Sequence, residues 1–204
     1  KKRLILINIP SRQNIDYSIG YNVPITLHHP DFIALSFGLS VLGMPGGFAG
    51  RLMQTVREKE GLTYGINSRL DGFSGTEQGY WKIGTFFAPE KSIQGLTSTF
   101  REVSTIYKKG ISQGELDKFK TILGTKQALL KDSTRSLLRD LHAYHCHNFT
   151  LDEIAEHKGK ISQLTLSEVN EAIKEYLNPK NLVVSGAGPT NSIKKELETF
   201  IKSV

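Results

Sequence analysis

One segment of the sequence combines a helix pattern, a glycine stop and a strand pattern: Gly46-Gly-Phe-Ala-Gly-Arg-Leu-Met-Gln-Thr-Val-Arg57-Glu-Lys-Glu-Gly61-Leu-Thr-Tyr64-Gly65. Its apolar residues recur at helical spacing over residues 48–60, and Gly61 stands where the cap of a helix C-terminus belongs. A strand-like segment, residues 62–70, follows directly. The sequence therefore predicts a helix that carries Arg57 joined by a short turn to a strand that carries Tyr64.

The segments on either side of this stretch alternate between strand and helix patterns in blocks. Strand-like segments are residues 3–9, 16–23, 62–70, 78–87 and 181–187. Helical patterns cover residues 32–42, 48–60, 92–110, 134–147 and 192–201, and capping-box sequences at 112–115, 150–153 and 165–168 predict three further helix starts. Because most helices come together in one long run, this order predicts an α+β fold. We expect a mainly antiparallel β-sheet that several α-helices pack on one face.

The 204 residues contain one cysteine, Cys146, so no intrachain disulfide can form. The chain has no internal repeat and no linker-like stretch, so residues 1–204 are predicted to form a single domain. It begins without a methionine, which indicates a piece of a longer chain. No apolar run approaches the roughly 18 residues that span a bilayer, so membrane insertion is not expected. The compartment stays undetermined, since a lone cysteine is tolerated on either side of a membrane.

The net charge of +6 raises the question of nucleic-acid binding. The basic residues are spread along the chain and most lie near an Asp or Glu, which is typical of solvated helix faces. We therefore expect no nucleic-acid partner. A basic polyanion-binding module is a remote alternative, and a strongly salt-dependent affinity for DNA would reveal it.

Candidate metal ligands cluster near the middle of the second half. His142, His145, Cys146 and His147 fall within six residues, but no carboxylate obviously completes a site. The sequence Glu153-Ile-Ala-Glu156-His157 is one ligand short of the zinc motif His-x-x-Glu-His. We predict a charged helix face for the second segment and no metal site in this chain, while metal binding by the histidine cluster stays open as an alternative.

Other catalytic signatures are missing from the sequence. It contains no His-Glu-x-x-His, no Gly-x-Ser-x-Gly and no phosphate-binding Gly-x-x-x-x-Gly-Lys-Ser/Thr. The glycine-rich residues 43–47 precede a helix, where an anion can bind, but a tight turn between helices explains them equally. We expect no catalytic residue on this chain alone.

Arg57 and Tyr64 offer donors of another kind. A guanidinium and a phenol at one sheet edge suit the backbone carbonyl oxygens of an extended peptide. The alternative is a surface arginine paired with Glu58 or Glu60, beside a half-buried strand tyrosine.

The block from Gly50 to Gly65 resembles the signature of the C-terminal, non-zinc-binding domain of M16 zinc metallopeptidases, the family of pitrilysin, insulysin and the mitochondrial processing peptidase. The similarity extends to residues 29–32 and 178–184 and so covers nearly the whole chain. It implies two homologous domains that face each other across a chamber. One carries His-x-x-Glu-His and zinc, and the other supplies an arginine and a tyrosine seven residues apart, the spacing of Arg57 and Tyr64. The resemblance implies that both bind the substrate backbone and that Tyr64 polarises the scissile carbonyl.

The chain departs from the catalytic half of such enzymes, because residues 35–60, where the zinc motif would fall, contain no histidine. We therefore expect this chain alone neither to hold catalytic zinc nor to cleave peptides. Zinc is expected on a homologous domain, either fused or a separate subunit, and the substrate is expected to be an extended peptide. The alternative is a degenerate domain of this type that serves only assembly or chamber closure.

Overall fold

The computed structural model describes residues 3–74, 76–130 and 132–203. Its strands are β1 (Arg3–Asn8), β2 (Ile15–Asn22), β3 (Ile66–Asp71), β4 (Tyr80–Phe87) and β5 (Val183–Gly188). Its α-helices are α1 (Phe32–Gly43), α2 (Ser92–Lys109), α3 (Gln113–Leu130), α4 (Thr134–Cys146), α5 (Leu151–Gln163), α6 (Leu166–Tyr176) and α7 (Lys194–Ser203). A π-helix spans Met53–Lys59, and short 3₁₀ turns span Pro89–Lys91, Pro179–Asn181 and Thr190–Ile193.

The five strands form one sheet in the order β1-β5-β2-β4-β3. The pairs β5–β2, β2–β4 and β4–β3 are antiparallel, as expected, and β1 lies parallel to β5. The predicted α+β class is confirmed, and the parallel edge pair is the feature that the strand patterns did not indicate.

The two faces of the sheet differ in what covers them. Along β4, Trp81, Ile83 and Phe87 are fully buried, while the alternate residues are half-buried. The buried side chains of β2 and β4 belong to the hydrophobic core formed with α1, α2 and α6. On the other face, Ile5 and Ile7 of β1 are 52% and 58% exposed. This second face is called the open face below.

Helix α1 is apolar nearly all round because it is the central helix of the core. It packs on β3 and α6, and nine of its residues are buried. Gly38 permits the close approach to α6, since a Cβ there would lie 2.8 Å from Cδ1 of Ile173. The all-round apolar pattern thus indicated a buried helix correctly.

The predicted helix ends are confirmed where capping chemistry fixes them. Thr150 and Thr165 form capping boxes with the glutamates three residues on, and Ser112 exchanges the same two hydrogen bonds with Glu115. The stops at Gly61 and Gly110 have φ of 60° and 69°, the left-handed region that glycine adopts most easily.

Two predicted boundaries within residues 46–65 are wrong. The helix does not begin at Phe48, which is 63% exposed in the loop after α1; helical structure begins at Arg51. Strand β3 begins at Ile66 and not at residue 62, so Tyr64 precedes the strand. The cause is local: the Thr63 hydroxyl accepts from the Gly65 N–H (3.2 Å), and the Thr85 hydroxyl donates to the Gly65 carbonyl (3.1 Å). Side-chain hydrogen bonds thus take the place of the sheet ladder at this point.

Candidate functional site

The π-helix carries Arg57. Its wider turn appears in the bond from the Glu60 N–H to the Thr55 carbonyl, 3.0 Å, which joins residues five apart. Met53 and Val56 are buried and anchor one side of the helix to the core. The helix ends when Gly61 and Leu62 donate to the carbonyls of Arg57 and Val56. This reversal turns the chain back on itself and brings residues 62–65 alongside the helix end.

Arg57 lies between two aromatic rings. Its guanidinium carbon is 4.8 Å from the centre of the Phe48 ring and 4.6 Å from the centre of the Tyr64 ring. Both rings are largely exposed, Tyr64 at 77%, whereas the Arg57 side chain is only 20% exposed. A cation stacked on two rings gains about 0.5–1 kcal/mol per ring at exposed sites. The two ring contacts therefore restrict the movement of the guanidinium.

The acidic neighbours of Arg57 leave this arrangement intact. Glu58 approaches to 3.5 Å through an exposed carboxylate, and Glu60 pairs with Arg101 instead. The alternative interpretation, a surface arginine beside a half-buried strand tyrosine, is thus correct about Glu58. It is wrong about the burial of both Arg57 and Tyr64.

Arg57 and the two rings of Phe48 and Tyr64, called the sandwich below, line a groove on the open face. The groove encloses about 720 Å³, and Arg57 and Tyr64 both line it. Its apolar walls include Ile7, Phe48 and Phe86. Its floor is made of small residues from three strands, among them Ser18, Gly84 and Ser185. These three residues pair side by side across β5, β2 and β4, so an extended chain can approach the sheet along this row.

Two ion pairs fix the segment that bears Arg57 from either end. Arg51 donates from Nε to one carboxylate oxygen of Glu115 (2.6 Å) and from Nη2 to the other (2.7 Å), and Nη2 also donates to the Gly110 carbonyl. Beyond the π-helix, Glu60 accepts from Arg101 on α2. Burial opposes ionisation of Glu60, but hydrogen bonds from Ser98 and Arg101 outweigh it and lower its pKa. No local sequence pattern predicts these pairs, because each joins residues more than forty positions apart.

Among the described residues, His142, His145, Cys146 and His147 do not form a metal site. On α4 the Cys146 sulfur lies 3.7 Å from both ring nitrogens of His142, and the His147 carbonyl accepts from the His28 ring. Glu153 caps α5, and His157 lies against the rings of Phe32 and Phe149. Across residues 3–74, 76–130 and 132–203, no group of three or more His, Cys, Asp or Glu side chains is arranged to hold a metal ion.

The donor set of the chain does not fit a catalytic zinc. In the sequence, residues 35–60 contain no histidine, and in the described structure this region is α1, a glycine-rich loop and the π-helix. In that loop the Gly47 N–H donates to the Met44 carbonyl, which supports the tight-turn interpretation of residues 43–47.

In the described part of the chain, no helix is both long and apolar enough to cross a membrane.

Comparison with known proteins shows the family of this chain. The family model described as "Peptidase M16 inactive domain" matches residues 1–123. The non-peptidase homolog YmxG of Helicobacter pylori is 29% identical over 146 residues, which is 70% of this chain and 32% of the relative. An uncharacterised zinc protease of Mycobacterium bovis is 26% identical over 170 residues, 81% of this chain and 38% of the relative.

A solved structure shows the same fold. The crystal structure of a peptidase M16 inactive domain from Pseudomonas fluorescens superposes with a TM-score of 0.80 at 29% identity, covering 93% of this chain and 44% of that one. The chain therefore spans less than half the length of these three similar proteins. Members of the family have paired domains or subunits. With the family description matching more than half of its residues, the chain belongs to the peptidase M16 inactive domain family.

Proposed function

We propose that this chain is the substrate-binding, non-catalytic half of an M16-type zinc metalloendopeptidase. The observation that carries the proposal is the Arg57 guanidinium, which lies over the rings of Phe48 and Tyr64 and lines the groove on the open face. Side chains held in this way lose little freedom when they bind a ligand, which favours affinity.

The chemistry of the two residues matches a peptide backbone. Arg57 presents several N–H donors in a rigid plane, and Tyr64 presents one O–H from an exposed ring. Both are donors to carbonyl oxygens, and an extended peptide offers a carbonyl at every residue. A hydroxyl placed at the scissile carbonyl would stabilise the negative charge that develops on its oxygen during hydrolysis.

The proposal assigns zinc and the water-activating carboxylate to a homologous domain, fused or in a separate subunit. Because the sequence has no His-x-x-Glu-His, the role proposed for this chain is peptide binding and closure of the chamber, with no activity alone. Relatives described as zinc proteases support a peptidase as the complete assembly.

A second candidate function is assembly alone, without contact to a substrate. It is favoured by the similarity to a protein described as a non-peptidase homolog. In that case the sandwich would be a surface feature, and the groove would be covered by a homologous domain without holding a peptide.

The substitution Tyr64→Phe in the complete enzyme separates the two candidates. Loss of a donor to the developing oxyanion costs about 10²–10³-fold in kcat, so we expect kcat/KM to fall by this order. Tyr144→Phe is the matched control, because its hydroxyl contacts His157 far from the groove. An unchanged kcat/KM in Tyr64→Phe would leave assembly as the function.

A further inference from the structure

A second cavity lies beside the outward side of α2, and the core residue Phe100 borders it. Thr97, Arg101, Ser104 and Lys108 recur at helical spacing on the outward side of α2 and form one wall. The 3₁₀ turn Pro179–Asn181 packs against α2 and forms the other wall. The space between them is about 540 Å³, within the range of small-molecule sites.

The charges around this cavity have one sign. Arg101, Lys108 and Lys180 line it, and no acidic side chain of the described residues does. Arg101 is engaged by Glu60 and Glu102, so it is largely neutralised. Lys108 and Lys180 make no ion pair within the described parts of the chain. The cavity therefore holds two uncompensated positive charges.

The remaining lining supplies an apolar surface and further polar groups. Phe100, Tyr107 and Pro179 offer apolar surface, and Lys174 stacks on the Tyr107 ring with its Nζ 4.4 Å from the ring centre. Ser104 and Asn178 offer polar atoms beside the lysines. Two ammonium groups match the charge of a phosphomonoester, which carries about −1.5 to −2 near pH 7. The volume exceeds that of a bare phosphate and leaves space for an organic group against Tyr107 and Pro179.

We propose that the cavity between α2 and Pro179–Asn181 is a binding site for a small phosphomonoester that carries a ring. Lys108 and Lys180 bind the phosphate, and the ring rests on Tyr107 and Pro179. The site is separate from the groove that contains Arg57, so it does not depend on the proposed peptidase role.

Phenyl phosphate is a suitable probe, titrated by isothermal calorimetry into the natural full-length protein. We expect saturable binding with a Kd of about 1 mM or tighter. Lys180→Glu should weaken it tenfold or more, because a charge-assisted hydrogen bond is lost and a repulsive charge is added. Lys108→Glu should act in the same direction. Lys118→Glu, an exposed change of equal charge on α3, should leave the affinity unchanged.

Two further titrations separate the parts of the ligand. Phenol should not bind, and inorganic phosphate should bind at least about threefold more weakly than phenyl phosphate if the ring contributes even a fraction of a kcal/mol. The proposal is overturned by no saturable binding below about 10 mM, by equal weakening in Lys118→Glu, or by phosphate that binds as tightly as phenyl phosphate.

Discussion

Glu115→Gln should destabilise the fold by about 2 kcal/mol at neutral pH, although the residue contacts neither cavity. In the native structure Glu115 accepts two charge-assisted hydrogen bonds from Arg51, at 2.6 and 2.7 Å. Such bonds contribute about 1.5–3 kcal/mol each, and a neutral amide retains at most one bond of about 1 kcal/mol. The two side chains are 19% and 25% exposed, so the loss stays below the 3–5 kcal/mol of a fully buried pair.

The same substitution should also change how stability depends on pH. Burial of Glu115 disfavours its charge, but hydrogen bonds from Arg51 and Ser112 outweigh burial and lower its pKa. A carboxylate whose pKa is lower in the folded state stabilises the fold above its unfolded pKa, about 4.3. This stabilisation is lost as the pH falls through the folded pKa. The difference between the native protein and Glu115→Gln should therefore be full at pH 7 and shrink below about pH 4.

Equilibrium urea unfolding followed by circular dichroism measures both effects. Thermal unfolding should show a fall in Tm of about 4–8 °C, at 2–4 °C per kcal/mol for a chain of this size. Glu198→Gln on α7 is the matched control, since this exposed glutamate makes no ion pair in the described structure, and it should change stability by less than about 0.5 kcal/mol. A difference for Glu115→Gln below about 0.5 kcal/mol, or one that grows as the pH falls, would refute the reasoning.

Two further substitutions test the site and its support. Phe48→Ala removes one ring of the sandwich, and we expect the KM of the complete enzyme for peptide to rise about two- to fivefold. Phe48→Tyr should restore the KM. An unaltered KM in Phe48→Ala would show that Arg57 is held in place without Phe48. Gly61→Ala should lower the free energy of unfolding in urea by about 1 kcal/mol, because φ is 60° at this position. Gly124→Ala, inside α3 with open space around it, should raise that free energy by a similar amount. Changes of the same sign in both variants would contradict the role given to the backbone of Gly61.

The sequence predicted most of the fold because its signals are local. Capping boxes, glycine stops and the apolar run of α1 depend on residues close in the chain, and their positions agree with the structure. The parallel pairing of β1 with β5 could not be predicted, since it depends on contacts between the two ends of the chain. The pattern of residues 48–60 predicts an ordinary α-helix, because an α-helix and a π-helix expose similar faces over two turns.

The sequence predicts that Arg57 and Tyr64 meet, but not the geometry of their contact, and their role in substrate binding stays a prediction. The spacing of Arg57 and Tyr64 pointed to a shared sheet edge, and the two side chains do meet. Tyr64 meets Arg57 from a loop, because Thr63 and Thr85 end the strand at Gly65. Phe48 was assigned to the apolar side of a helix, and only the tertiary structure shows it stacked on the guanidinium.

The parallel edge pair sets the order in which the protein can be completed during synthesis. Residue 3 of β1 aligns with residue 183 of β5, and β1 has no other neighbour in the sheet. At roughly 5–20 residues per second, a ribosome needs on the order of ten seconds or more to make the intervening chain. Throughout that time Ile5 and Ile7 belong to an unpaired, apolar strand. During synthesis β1 therefore carries an aggregation risk until β5 emerges and pairs with it.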